Sequence, residues 1–192
     1  IAEALWKYEG EKALRTVEKM TVTVGRPLRS ELCERLPNAE KTIEKMGEVI
    51  SQFKYDGFRT QMHLDRKSGL VKLYSRNLEE TTHSFPEIIK GILDQIDADS
   101  VILDSETLAY HPESEEFFPF QETTKRRRKY GIEEMAEALP LRAFVFDILY
   151  KNGESLVTLP VHERLKILDA TIKKNVDPAK TDTLIVSESR VI

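Results

Sequence analysis

The chain has 192 residues, of which 40% are hydrophobic and 32% are charged, and its net charge is −4. This composition predicts one globular domain, or one domain with a short extension, and a nucleic-acid-binding role would have to depend on local basic patches. The single Cys33 excludes a disulfide framework and a cysteine-rich zinc site, and it favours a reducing, intracellular setting. The sequence has no stretch of membrane-spanning length and no signal-peptide pattern, so we expect no membrane partner.

In the first half of the chain, the hydrophobic periodicity changes from helical to strand-like. Helical spacing runs over residues 4–20 and again from a cap at Asn38 to about Ile50, with a connector over 22–37 between them. Alternation over 58–64 and 70–75, on either side of turn residues, predicts a β-hairpin. Farther along, Ser84 and Glu87 resemble a capping box that opens a helix over 85–96.

The second half alternates between strands and helices without internal repeats. Hairpin pairing and separated helices together predict an α+β fold, with largely antiparallel sheets flanked by helices. The predicted elements are a strand over 100–110, an irregular aromatic stretch over 116–122, a helix over 132–139, a buried strand over 141–150, a turn over 151–154, an amphipathic helix over 160–175 and a strand over 183–188.

The stretch KYDGFR (54–59) raises two interpretations of its lysine. Alternation places Lys54 in a strand between two aromatic residues, so it could belong to a charge cluster at a strand end. It could also be a nucleophile, because partial desolvation and the nearby cation Arg59 both favour the neutral amine that attacks. Asp56 could then orient the ammonium, and Gly57 could permit a sharp turn beside a ligand. The residues alone leave both interpretations open.

KYDGFR resembles the first motif, K-x-D-G-x-R, of the covalent nucleotidyltransferases, which include ATP-dependent DNA ligases, RNA ligases and mRNA-capping enzymes. The similarity extends from about Val24 to the last residue. It implies an ATP-grasp-like nucleotidyltransferase fold, with the N-terminal portion of a ligase adenylation domain at 23–192 and the tail of a helical DNA-binding domain, or a linker, at 1–22. The other stretches that resemble the archaeal and eukaryotic DNA ligases are SRN (75–77), LDSETLAY (103–110), PFQETTKRRRKY (119–130) and FVFDILYKNGESL (144–156).

The resemblance implies a role for each residue that matches a family motif. Lys54 would attack the α-phosphorus of ATP, giving lysyl–AMP and pyrophosphate. Arg59 would lie near the ribose and phosphates, and Arg76 would steady a phosphate. Glu106 would lie near the ribose hydroxyls and Mg²⁺, which prefers oxygen ligands. Phe146 would stack on adenine.

Three further features are less specific. Gln52 stands where the family commonly has a glutamate that reads the adenine 6-amino group, and its amide oxygen can accept the same hydrogen bond. Asp104 shares a strand face with Glu106, and a salt bridge is its favoured interpretation. The basic run would either contact duplex phosphates or form a solvated or flexible surface. Its members are Lys125, Arg126, Arg127, Arg128 and Lys129.

The family resemblance implies an enzyme that seals nicks in double-stranded DNA with ATP and Mg²⁺, in DNA repair, replication or recombination. The sequence stops before the later E-G-x-x-x-K motif and before an OB-fold domain. We therefore expect the 192 residues alone to be inactive or very slow. Two alternatives remain open: an RNA ligase or mRNA-capping nucleotidyltransferase, and a non-catalytic module that binds nucleotide or DNA.

Overall fold

The computed structural model describes residues 10–18, 20–126, 130–174 and 182–192. The start of the predicted helix 4–20, Arg127, Arg128 and Lys129 of the basic run, and only the last residue of the predicted helix 160–175 lie outside these residues. None of the helices within the described ranges is long and apolar enough to cross a membrane.

The helices and strands alternate along the chain as the periodicity predicts. A short 3₁₀ turn, Thr82–Ser84, precedes the third helix. The helices are α1 Gly10–Glu18, α2 Ala39–Met46, α3 Pro86–Gln95, α4 Phe120–Thr124, α5 Ile132–Ala138 and α6 Val161–Asp169. The strands are β1 Ile50–Gln52, β2 Phe58–Asp65, β3 Leu70–Tyr74, β4 Ser100–Ala109, β5 Leu141–Lys151, β6 Glu154–Ser155, β7 Leu184–Val186 and β8 Ser189–Val191.

Most of the strands form one large sheet in the order β3–β2–β4–β5–β6, and β7 also pairs with β5. The pairs along this order are antiparallel, while β5 and β7 run parallel. The predicted hairpin is β2–β3, and its turn ends at Gly69 with a φ of 70°, a conformation that glycine adopts without strain. A second, two-stranded sheet joins β1 to β8. The predicted α+β class with largely antiparallel sheets is therefore confirmed.

One face of the large sheet packs against helices and forms the core. Successive residues of a strand point to opposite faces, so alternate apolar residues of β2, β4 and β5 share this face. They contact α3 and α6, which contribute their apolar stripes to the same cluster. Its most deeply buried members include Met62, Leu64, Leu73, Ile88, Ile92, Leu103, Ile148 and Leu168.

The opposite face of the sheet is partly covered by the connector that precedes α2. The amide of Gly25 donates to Nδ1 of His63 over 3.0 Å, and the amide of Leu28 donates to Oε1 of Gln61 over 2.7 Å. The hydroxyl of Tyr74 donates to the Gly25 carbonyl over 2.7 Å. Burial lowers the pKa of His63 to about 4, so its ring is neutral near pH 7 and can accept the Gly25 hydrogen.

Several element boundaries differ from the sequence prediction. The N-cap of α2 is confirmed, since Oδ1 of Asn38 accepts from the Lys41 amide over 2.9 Å. The helix ends earlier than expected, at Met46, because Gly47 has a φ of 73° and its amide caps the last turn. The predicted helix 160–175 is too long, since α6 ends at Asp169 and residues 170–174 are not helical. The short elements α4, β1, β6 and β8 were not predicted.

The predicted capping box at α3 is wrong. Ser84 lies in the 3₁₀ turn, and α3 begins at Pro86 without a side-chain cap. Proline suits the first helical position because it has no N–H there to satisfy. Glu87 does not reach back to a cap residue, and its carboxylate instead pairs with the Arg126 guanidinium.

Arg126 is a buried residue, and this corrects the expectation of a solvent-facing or DNA-facing basic run at this position. Only 1% of Arg126 is exposed. Its guanidinium pairs with Glu87 and donates to the Ile132 carbonyl over 3.3 Å, so it ties the start of α3 to the start of α5. Burial raises the pKa of Glu87, and the Arg126 charge opposes that rise. Lys125, by contrast, is exposed and pairs with Glu122.

We expect Arg126→Leu to lower the free energy of unfolding by about 3–5 kcal/mol, because it leaves the largely buried Glu87 carboxylate without its cation. The loss should be larger at pH 8 than at pH 5. With the arginine gone, the raised pKa of Glu87 lets the folded protein hold the neutral acid at low pH, and this form is lost as pH rises.

Urea unfolding at both pH values measures this loss. Lys125→Ala is the matched control, since it removes an exposed ion pair and should cost about 1 kcal/mol or less. Equal losses in the two variants would show that the Arg126 pair does not stabilise the fold.

Candidate active site around Lys54

Lys54 lies in a loop between β1 and β2, residues 53–57, which we call the lysine loop. The prediction that Lys54 occupies a strand is therefore wrong. The side chain of Lys54 is exposed, and that of Phe53 is 63% exposed. The expectation that the aromatic neighbours would partly desolvate the amine is therefore not met. The ammonium makes no hydrogen bond or ion pair within the described part of the chain. It is free to meet a ligand from solvent.

Glu106 lies beside the lysine loop because β2 and β4 pair in a register that sets Arg59 opposite Glu106. The carboxylate is partly buried and accepts a hydrogen bond from the Gly57 amide. Burial raises the pKa of Glu106, and the positive charges of Arg59 and Lys54 oppose the rise. The structure thus brings together a carboxylate and two cations that were predicted to act on one nucleotide.

Arg59 is held in place by Asp104. Its guanidinium makes two hydrogen bonds to the Asp104 carboxylate and donates to the Ser30 hydroxyl over 3.1 Å. Burial raises the pKa of Asp104, and the paired guanidinium opposes that rise. The salt bridge that was favoured for Asp104 is therefore confirmed. Asp104 and Glu106 share one face of β4. Because Asp104 is paired with Arg59, Glu106 is the carboxylate on this face that has no arginine partner among the described residues.

Phe146 occupies a bulge in β5. Ser105 pairs with Val145 and Asp104 with Asp147, so Phe146 is the extra residue between them. Its ring is partly exposed, and the Arg59 guanidinium carbon lies 4.9 Å from the ring centroid. This placement differs from that of a core residue, which the apolar sequence around Phe146 would suggest.

Gln52, at the end of β1, lies next to Phe146. Its Nε2 donates to the Phe146 carbonyl over 3.4 Å. Gln52, which was predicted to read the adenine 6-amino group, is therefore a neighbour of Phe146, which was predicted to stack on adenine.

Asp147 and Arg164 were not singled out from the sequence. The Asp147 carboxylate accepts from Nε and Nη2 of Arg164 over 2.8 and 2.9 Å, which joins β5 to α6 directly after the bulge. A bidentate pair of this kind fixes geometry as well as adding energy. The only sequence signal was an aspartate after the candidate stacking residue and an arginine on an amphipathic helix, and neither identifies its partner.

The other predicted site residues are less constrained. Arg76 lies in the turn after β3, is exposed, and makes no hydrogen bond or ion pair with any part of the chain that the structure describes. Leu78, in the same turn, has a φ of 64°. Asp56 is also exposed and makes no contact with the Lys54 ammonium in the described structure. A role for Arg76 or Asp56 therefore stays a prediction.

Gly57 is required for a different reason from the one expected. It does not adopt a positive φ. A Cβ at this position would lie 2.5 Å from the Thr107 carbonyl oxygen and 2.8 Å from Cγ of Leu108. Glycine therefore lets the lysine loop approach β4 closely enough for its amide to reach Glu106.

The model of the ATP-dependent DNA ligase domain family matches residues 30–191. The chain belongs to this family. The DNA ligase resemblance is therefore confirmed, and the matched segment includes the lysine loop, Glu106 and Phe146.

Curated relatives agree with this assignment. The chain is 38% identical over 192 residues to a probable DNA ligase of Dictyoglomus turgidum, covering 100% of this chain and 32% of the relative. It is 41% identical over 177 residues to a DNA ligase of Thermoplasma volcanium, covering 91% of this chain and 29% of the relative. This DNA ligase domain chain thus spans about a third of the length of the relatives it matches.

Solved structures agree on the fold. The ligase domain from LigD of M. tuberculosis has a TM-score of 0.50 at 21% identity, covering 74% of this chain and 40% of that chain. A second structure, described as Pmar-Lig, has a TM-score of 0.50 at 15% identity, covering 94% of this chain and 38% of that chain.

We expect Gly57→Ala to lower the free energy of unfolding by about 1–3 kcal/mol, because the added methyl group would overlap the β4 backbone and force it or the lysine loop to shift. Thermal or urea unfolding measures this effect. Asp56→Ala is the neighbouring control, and as an exposed substitution it should change stability by no more than about 0.5 kcal/mol. An unchanged unfolding midpoint in Gly57→Ala would contradict the close packing described here.

Proposed function

We propose that residues 23–192 form the N-terminal portion of the adenylation domain of an ATP-dependent DNA ligase, and that Lys54 is its nucleophile. The observation that carries this proposal is the approach of the lysine loop to β4, where Gly57 donates to Glu106 beside Arg59 and Phe146. The family match supports it. The relatives' names favour DNA over the RNA-ligase and capping alternatives.

In the proposed reaction, Nζ of Lys54 attacks the α-phosphorus of ATP. A nitrogen–phosphorus bond forms, the bond between the α-phosphorus and the bridging oxygen breaks, and pyrophosphate leaves. The attacking amine has to lose a proton, and the exposed position of Lys54 gives that proton access to solvent. Arg59 and Arg76 would stabilise phosphate oxygens as charge moves between them.

The adenosine would be held by residues of β1, β4 and β5. Phe146 offers a partly exposed ring for the base, and the Arg59 guanidinium lies over this ring with its carbon 4.9 Å from the centroid. Gln52 offers an amide oxygen to the 6-amino group, because its Nε2 is already engaged with the Phe146 carbonyl. Glu106 would accept from the ribose hydroxyls.

Mg²⁺ fits the donor set of this site. Among the described residues, no three His, Cys, Asp or Glu side chains are grouped so that they could hold a metal ion. Mg²⁺ usually takes one or two carboxylates and completes its shell with water and substrate phosphates, so a dedicated cage is not needed. Glu106 would be the protein ligand, since Asp104 is committed to Arg59. The ion, when bound, offsets phosphate charge.

DNA contact would involve the basic run apart from Arg126. Lys125 is exposed, and Arg127, Arg128 and Lys129 remain candidates for salt-dependent contact with duplex phosphates. We further propose that residues 1–22 belong to a preceding helical DNA-binding domain or linker. The intracellular setting and the roles in DNA repair, replication or recombination belong to the same proposal, and the free Cys33 is consistent with a reducing setting.

We expect a ligase-length protein, meaning one of the relatives' length that contains this chain, to gain the mass of one AMP with ATP and Mg²⁺. Lys54→Ala and Lys54→Arg should both abolish the adduct, because neither alanine nor a permanently charged guanidinium can attack phosphorus. Intact-mass spectrometry measures it. Lys67→Ala, which removes an exposed lysine from the β2–β3 turn, should leave the adduct unchanged. Retention of the adduct in both Lys54 variants would refute the assignment.

We expect Phe146→Ala to weaken ATP binding in the ligase-length protein by about 1–3 kcal/mol, the usual range for base–aromatic stacking. Its loss of unfolding free energy should be below the roughly 3–5 kcal/mol that truncating a core phenylalanine costs, because the ring is partly exposed. ATP titration and thermal melting separate these effects. Ile148→Ala is the control in the same strand. It removes a fully buried side chain, and we expect it to cost about 2–5 kcal/mol of stability.

We expect the 192 residues alone to seal no nicks and to self-adenylate very slowly or not at all. Phosphoryl transfer depends on positioning and charge stabilisation, and the chain spans about a third of its relatives' length. A labelled, nicked DNA duplex with ATP and Mg²⁺ tests this, with the ligase-length protein as the positive control. Sealing by the 192 residues at a comparable rate would contradict the expectation.

A further inference from the structure

We infer that Tyr55 is a positioning residue for Lys54, and that it acts by stacking on Phe144. This inference rests on the proposed function, because it concerns how the attacking amine is placed. It adds a residue that the K-x-D-G-x-R pattern leaves unspecified. The argument starts from how little else holds the lysine loop in place.

The lysine loop has few attachments to the rest of the protein. β1 ends at Gln52 and β2 begins at Phe58, so the loop has no strand partner. No backbone hydrogen bond anchors residues 53–56 to another described part of the chain. The Gly57 amide, at the far end of the loop, reaches Glu106. Because Lys54 itself is exposed, its position depends on its neighbours in the loop.

Tyr55 supplies the main side-chain attachment. Its ring stacks on that of Phe144 with centroids 4.3 Å apart and planes inclined by 17°. Phe144 is a buried residue of β5, 8% exposed, and the strand register sets it opposite Glu106. The stack therefore fastens the residue after Lys54 to the part of the sheet that carries the predicted ribose and metal ligand.

A second contact of Tyr55 reaches Ser187, the residue directly after β7. The Tyr55 hydroxyl lies 3.4 Å from Oγ of Ser187, a buried residue whose amide donates to the Val145 carbonyl over 2.7 Å. This hydroxyl contact is at the long end of the hydrogen-bond range, so it adds less than the ring stack. Its loss alone should have a small effect.

Phe117 provides a matched control. Its ring meets Phe144 edge-on, with centroids 5.3 Å apart, so it belongs to the same aromatic cluster. It is 45% exposed and lies in the segment before α4, far in sequence from the lysine loop. If the cluster matters only as packing, Phe117 and Tyr55 should be equally important for the reaction. If Tyr55 positions Lys54, they should differ.

The test is single-turnover formation of lysyl–AMP in the ligase-length protein, with the limiting rate and the half-saturating ATP concentration measured separately. Tyr55→Leu should lower the limiting rate by about tenfold or more, since displacing a reacting group by about 1 Å can cost about 100-fold. The half-saturating ATP concentration should change much less. Tyr55→Phe keeps the ring stack, so its limiting rate should stay within about threefold of that of the unsubstituted protein, which is the effect of losing one weak hydrogen bond. Phe117→Leu should leave the limiting rate unchanged.

Each result has a defined meaning, and thermal melting shows which variants fold. A limiting rate for Tyr55→Leu within threefold of the unsubstituted protein overturns the inference, and so does an equal loss in Phe117→Leu. In either case an adduct on Lys54 leaves the proposed function intact. No adduct in the unsubstituted protein overturns the proposed function and the inference together. If Tyr55→Leu does not fold, Tyr55→Met, which also lacks a ring, is held to the same criterion.

Discussion

The antiparallel pairing of β2 with β4 is the constraint on which the candidate site depends. Its register sets Arg59 opposite Glu106 and leaves their side chains on the face away from the helices. A slip of one residue would turn every side chain of β2 to the other face, which would expose Met62 and Leu64 and bury the arginine. The hydrophobic core therefore fixes the register, and the register fixes the site.

Arginine–carboxylate pairs then fasten the elements around this sheet. Asp104 holds Arg59 on the site face, and Asp147 holds Arg164 at the seam between β5 and α6. Glu87 holds Arg126 between α3 and α5. Largely buried pairs of this kind add little net stability compared with apolar residues, but removing one partner is costly. They fix where the loops and helices lie, and this matters most for the bulge that presents Phe146.

Long elements were predictable from the sequence, whereas short ones and pairings distant in the chain were not. The hairpin β2–β3 has enough alternation to be recognised, and β4 and β5 are long, mostly apolar segments typical of buried strands. β1 and β8 have three residues each and pair across most of the chain, so no local signal predicts them. Arg126 has the same local chemistry as its exposed neighbour Lys125. Its burial follows only from the position of Glu87 once the helices are packed.

The site was predicted from motifs more than from physics. Lys54, Glu106 and Phe146 were identified because they match a family pattern, whereas residue-by-residue reasoning placed Lys54 in a strand and Phe146 in the core. The bulge in β5 and the loop after β1 are local irregularities, and such irregularities are not visible in periodicity. Functional sites are where local rules are expected to fail, because the chain departs from regular structure there to present side chains to a ligand.

The exposure of Lys54 divides the requirements of the proposed reaction into two parts. The described chain supplies the geometry: a carboxylate, a guanidinium and an aromatic ring lie on one sheet, and the lysine loop places the amine beside them. Electrostatic stabilisation of a phosphoryl group is strongest where water is excluded, and the lysine loop lies open to solvent. Water around Lys54 would therefore be displaced by the nucleotide itself and by whatever part of a ligase-length protein covers it. The sheet therefore fixes the positions of Glu106, Arg59 and Phe146 in advance, whereas exclusion of water from Lys54 would come only on binding.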